Sequence, residues 1–181
     1  DVEKDIERVV EDVKRELRRL LKEDRDVSKK VKDDLDKLLK ESEEVVRRVK
    51  KELDRLREEG LDEKKIRELK KEIDELHKEN EDLVRDLKRK IDRLNEENEE
   101  VVKRLEDEIK KLLDEARRDR IPKSAVDEII RRLKELVKEM KRHVDKSIKD
   151  LEELVRRLEE HIRRSIERLK KLVEEAREDA R

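Results

Sequence analysis

The sequence predicts an all-α protein, a straight antiparallel (up-down-up) three-helix bundle whose helices are each about 57 residues, or roughly 85 Å, long. Three observations carry this prediction. Leu, Ile and Val recur along the chain at strict helical spacing. Only two places, at Gly60 and at Pro122, interrupt that spacing. The composition suits little else: 61% of residues are charged, there is one Gly and one Pro in 181 residues, and Phe, Trp, Tyr, Cys, Gln and Thr are absent. A chain of this length at ordinary usage would carry roughly 13 glycines. High charge with few apolar residues also marks disorder, but scattered apolar residues would be expected there, not periodic ones.

The first helix is expected over about 2–59. Its stripe repeats every 18 residues, as in Val2, Leu20, Leu38 and Leu56, or Val9, Val27 and Val45. It ends in "REEGLDEKK", where Gly60 suits the left-handed position after a helix, Leu61 can fold back on the last turn, and Asp62 can cap the next helix. The second helix, about 63–119, repeats Ile66, Val84 and Val102. In "RDRIPKSAVDEI" Pro122 cannot continue a helix, and Ser124 with Asp127 matches a capping box. The third helix, about 125–180, repeats Leu133, Leu151 and Leu169.

Eighteen residues in five turns is 3.6 per turn, the period of an undistorted helix, so no supercoil is imposed. Each stripe spans about 120° to 140°, enough for a helix to touch two neighbours. Residues 1–181 are therefore expected to form a single bundle, with a monomer favoured and a homo-oligomer possible. Acid-before-base pairs such as Glu43 with Arg47 and Glu160 with Arg164 decorate the outer faces at the favourable spacing of four.

Charge excludes several partners. With 55 Lys and Arg against 56 Asp and Glu, no net field draws the chain to nucleic acid or anionic lipid. The apolar runs are doublets, far short of the roughly 20 residues of a membrane span. No cysteine means no disulfide or thiolate chemistry. Nothing resembles a targeting signal, which leaves the location unassigned and points to a soluble chain, of the kind made by recombinant cytoplasmic expression. No cofactor or small-molecule ligand is implied.

Polar residues interrupt the stripes, and they do so at the repeat distance. Asp24 and Ser42 share one slot, with Ser28 beside Asp24 at the stripe edge; Asn80 and Asn98 share another, His77 and Asn95 a third, Ser147 and Ser165 a fourth, and His143 and His161 a fifth. Folding the chain at its two turns pairs residues of the first two helices whose numbers total about 122, and of the last two about 244. Two layers result, about 27 Å apart along the rod. One holds Asp24, Ser28, Asn95, Asn98, His143 and Ser147. The other holds Ser42, His77, Asn80, His161 and Ser165. A buried polar group without a partner costs about 1 to 3 kcal/mol, so alignment across three helices predicts mutual hydrogen bonding, with His143 or an asparagine donating to Asp24.

In these features, the 18-residue repetition, the restricted alphabet, the turns at Gly60 and Pro122 and the polar layers in register, the whole chain resembles computationally designed helical bundles with buried hydrogen-bond networks. The resemblance implies a de novo structural scaffold with no natural biochemical activity, its layers serving packing specificity.

Other chemistries are weaker. His77 and His161 fall in one layer, but a zinc site wants three or four ligands and the neighbours are Ser and Asn; no metal site is expected. Ser147, His143 and Asp24 have the residue types of a hydrolytic triad, but a packed rod offers neither cleft nor oxyanion hole, so no catalytic residue is expected. A pH-responsive bundle is the main alternative: two histidines in a layer without a carboxylate would be expected to resist protonation, and His143 beside Asp24 to favour it. A natural rod similar to spectrin-like repeats would be expected to carry aromatic core residues, and this chain has none.

Overall fold

The computed structural model of the protein describes residues 2–118 and 121–181. Three long helices pack against one another: α1 is Val2–Glu58, α2 is Glu63–Arg117 and α3 is Lys123–Ala180. Among the described residues there is no strand, and no helix is long and apolar enough to cross a membrane. Helix α1 carries Glu3 and Asp5 in its first turn and Arg55 and Arg57 in its last, each complementing the helix dipole.

The α1–α2 turn is closed by the backbone. Leu61 N–H donates to the Leu56 carbonyl at 3.0 Å and Gly60 N–H to that of Arg57 at 3.2 Å, which satisfies two carbonyls that the helix end leaves free. This geometry needs a positive φ at Gly60, and it is 109°. Leu61 returns to the core against Leu56. A Cβ on Gly60 would meet nothing within 4 Å, so its cost lies in the backbone alone. Gly60→Ala should therefore destabilise by about 1–2 kcal/mol in urea titrations followed by circular dichroism. Asp62 precedes α2, its carbonyl accepting from Ile66 N–H at 3.0 Å.

The α2–α3 connection departs from expectation. The Pro122 carbonyl accepts from Ala125 at 2.9 Å and Val126 at 3.2 Å, so α3 begins at Lys123, two residues early. Proline suits this place because the first N–H groups of a helix have no intrahelical partner to lose. Ser124 is consequently an exposed residue of the first turn, and no Ser124–Asp127 hydrogen bond occurs among the described residues. The expected end of α2 at Asp119 lies outside the described residues.

The chain divides into two compact units, to each of which every helix contributes a segment: Asp1–Lys29 with Ile91–Leu151, and Lys30–Lys90 with Glu152–Arg181. In the first, Ile6, Val10, Val13, Leu17 and Leu20 of α1 pack with Val102, Leu105 and Ile109 of α2 and with Leu133, Leu136 and Met140 of α3. The second unit packs Val46, Val49, Leu53 and Leu56 with Ile66, Leu69 and Ile73, and with Leu169, Leu172 and Val173. Each such aliphatic side chain contributes roughly 1.5–3 kcal/mol on burial.

Ion pairs line the seams. In the first unit Arg25 pairs with Glu99, and Arg104 with Glu139 at 2.9 Å. In the second, Lys70 meets Asp54 at 2.6 Å and Arg177 meets Glu52 at 3.1 Å. All are at least partly exposed, which limits each to about 1 kcal/mol or less. Of the expected pairs at a spacing of four, Glu160–Arg164 closes to 3.7 Å, whereas Glu43 turns instead toward His77.

Candidate functional site

Among the described residues, the polar side chains of the stripes are the chemistry the core offers, and each unit holds one group of them. In the first unit the buried series on α1 runs Leu17, Leu20, Asp24, Ser28, so that Asp24 and Ser28 occupy positions where the spacing calls for an aliphatic residue. Asp24 is 3% and Ser28 4% exposed, which places Ser28 as deep as Asp24 and not at an edge. Asn98, also 3% exposed, comes from α2 and stands between two neighbours. Its Nδ2 donates to Asp24 Oδ2 at 2.9 Å and to Ser147 Oγ at 3.1 Å. The Ser147 hydroxyl lies 3.5 Å from Asn98 Oδ1 for a return bond. Ser28 Oγ donates to Asn95 Oδ1 at 2.9 Å. Asn95 and Ser147 are half-buried.

His143 stands apart. It is half-buried, and among the described residues no hydrogen bond or ion pair joins it to Asp24 or Ser147. The donor to Asp24 is Asn98, and the sequence Ser147–His143–Asp24 is not assembled as a relay.

Burial pushes the Asp24 carboxyl above its ordinary value of 3.8, opposed by the Asn98 hydrogen bond and the nearby Arg25 charge. For a carboxyl raised on folding, the native state favours the protonated form. Its contribution to stability is then fullest below pH 3.8 and declines as pH rises through the folded value. Asp24→Asn retains an oxygen to accept from Asn98 and removes the buried charge. The variant should be more stable than the parent at pH 7, with the two stabilities converging as pH is lowered toward 3.8; paired urea titrations across that range read the difference.

The second unit is less well satisfied. Ser165 Oγ donates to Asn80 Oδ1 at 3.4 Å, and these two residues are 6% and 1% exposed. Ser42 is wholly buried, yet its hydroxyl has no hydrogen-bond partner, and neither do His77 Nδ1 and His161 Nε2. Among the described residues, neither His77 nor His161 hydrogen-bonds a serine or asparagine. His77 Nε2 faces outward to Glu81 Oε1 at 3.1 Å and Glu43 Oε1 at 3.9 Å. His161 Nε2 lies 3.4 Å from Glu79 Oε1 without hydrogen-bonding geometry, and its side chain is 41% exposed. Carboxylates therefore face both imidazoles, which corrects the expectation of a layer lacking negative charge.

Among the described residues no group of three His, Cys, Asp or Glu side chains is placed to hold a metal ion. Periodicity located every one of these polar positions; it carried no signal for the carboxylates that flank the histidines, because Glu43, Glu79 and Glu81 read as solvated-face residues. No protein-family model, curated protein or solved structure matches the chain.

Proposed function

We propose that this protein is a designed structural scaffold, without a biochemical activity of its own, whose polar layers fix which residues of its helices pair. The observation that carries the reading is Asn98, one side chain of α2 hydrogen-bonded at once to Asp24 of α1 and Ser147 of α3. A slip of α1 along α2 by one repeat would bring Asn98 against the slot of Ile6, or Asp24 against that of Ala116, and leave that polar group unpaired. Apolar packing alone discriminates weakly here, since the stripes repeat every 18 residues and a slip by one repeat matches Leu to Leu again. The repeat distance, the near-equal charge count and the alphabet without aromatics support an intended structure over an evolved one. Closure of the three stripes on one another favours the monomer, and no nucleic acid, membrane or small molecule is needed to complete it.

The test is a variant with Asp24, Ser28, Asn95, Asn98 and Ser147 all replaced by leucine. The scaffold reading expects it to stay helical and stable but to spread over several species in sedimentation equilibrium, while the parent sediments as one species near 22.2 kDa. A leucine variant that remains as uniform as the parent would remove the specificity role from the layer.

A further inference from the structure

We propose that the unit made of Lys30–Lys90 and Glu152–Arg181 opens ahead of the other, through release of residues 152–181 from the 30–90 hairpin, and that its incompletely partnered polar side chains set this order. Nearly equal sets of apolar side chains are buried in the two units, so apolar burial does not separate them. The polar side chains do. Among the described residues, the buried atoms left without a hydrogen-bond partner are Ser42 Oγ, His77 Nδ1 and His161 Nε2, the last with Glu79 Oε1 3.4 Å away, and all three belong to the second unit. In the first, Asp24, Ser28, Asn95, Asn98 and Ser147 all take part in hydrogen bonds. A polar atom withdrawn from water without compensation regains solvation when its surroundings open, which lowers the free energy of that local opening.

Connectivity selects the segment that leaves. The two α1 and α2 pieces of the second unit are joined by the Gly60 turn, with its two backbone hydrogen bonds. No turn within the unit joins residues 152–181 to that hairpin. They are held by apolar side chains such as Ile162, Leu169 and Val173, by the long Ser165–Asn80 bond, and by the contacts Arg168–Glu72, Arg177–Glu52 and His161–Glu79, which solvent weakens.

Native-state hydrogen exchange at pH 7 on the full chain carrying Asp24→Asn, which removes the buried charge that would itself favour opening of the first unit, tests this. Backbone amides of residues 158–172 should exchange on the order of tenfold faster than those of residues 129–144. Two serine substitutions supply the sign. Ser42→Ala removes an unpartnered hydroxyl and should slow exchange in the second unit several-fold, leaving the first unit unchanged. Ser28→Ala has the same gain in helix propensity but deletes the donor to Asn95, and should speed exchange in the first unit. Equal protection in both units, earlier opening of the first, or faster exchange in the second unit on Ser42→Ala would each overturn the proposal.

Discussion

Replacing Asn98 with alanine should destabilise the protein by about 3 kcal/mol at pH 7, more than the loss of one ordinary hydrogen bond. The carboxamide donates to Asp24 Oδ2 at 2.9 Å and to Ser147 Oγ at 3.1 Å. Asp24, 3% exposed, would then keep its burial and lose its side-chain hydrogen-bond donor. A charge-assisted bond is worth roughly twice a neutral one, and the group left behind bears the desolvation cost. The coupling is open to a double-mutant cycle. In an Asp24→Asn background the same substitution should cost clearly less, because no charge is stranded. Equal costs in the two backgrounds would show that Asp24 does not depend on Asn98.

Leu105→Ala should cost a comparable ~3 kcal/mol, by a different route. Leu105 is wholly buried and packs in the first unit with Leu17, Leu133 and Met140 among its cluster. Truncation removes the transfer free energy of the side chain and leaves a cavity that the surrounding helices collapse only in part. Urea denaturation should show a lower midpoint with an unchanged slope. Far-UV circular dichroism is the suitable probe because the chain has no Trp or Tyr. Unlike the Asn98 variant, this one should respond identically in the Asp24→Asn background, since Leu105 shares no polar partner with it.

The three helices were legible because helical period and chain breaks are properties of backbone geometry. Gly60 announced its turn, since a positive φ is a demand few other residues meet. The level at which side chains meet was legible as well: a fixed rise per residue places Asn98 opposite Asp24, and Ser28 opposite Asn95, once the turns are located. The orientation of the side chains was not. Periodicity fixes where a Cα sits on the helix but not which way χ1 and χ2 send a long side chain. His77 and His161 accordingly direct Nε2 toward surface glutamates, and His143 bonds neither Asp24 nor Ser147. The start of α3 was misplaced for a local reason. Ser124 and Asp127 have the residue types of a capping box, but Pro122 lets the helix begin before either is needed.

The contrast between seam and core has a consequence for solvent. At molar ionic strength the screening length falls to about 3 Å, and exposed pairs such as Arg104–Glu139 and Arg177–Glu52 lose most of their attraction. The bond between Asn98 and Asp24 lies where mobile ions do not reach. Brine would therefore erase the visible charge pattern of this protein while leaving intact the contact that tells α1 where to meet α2.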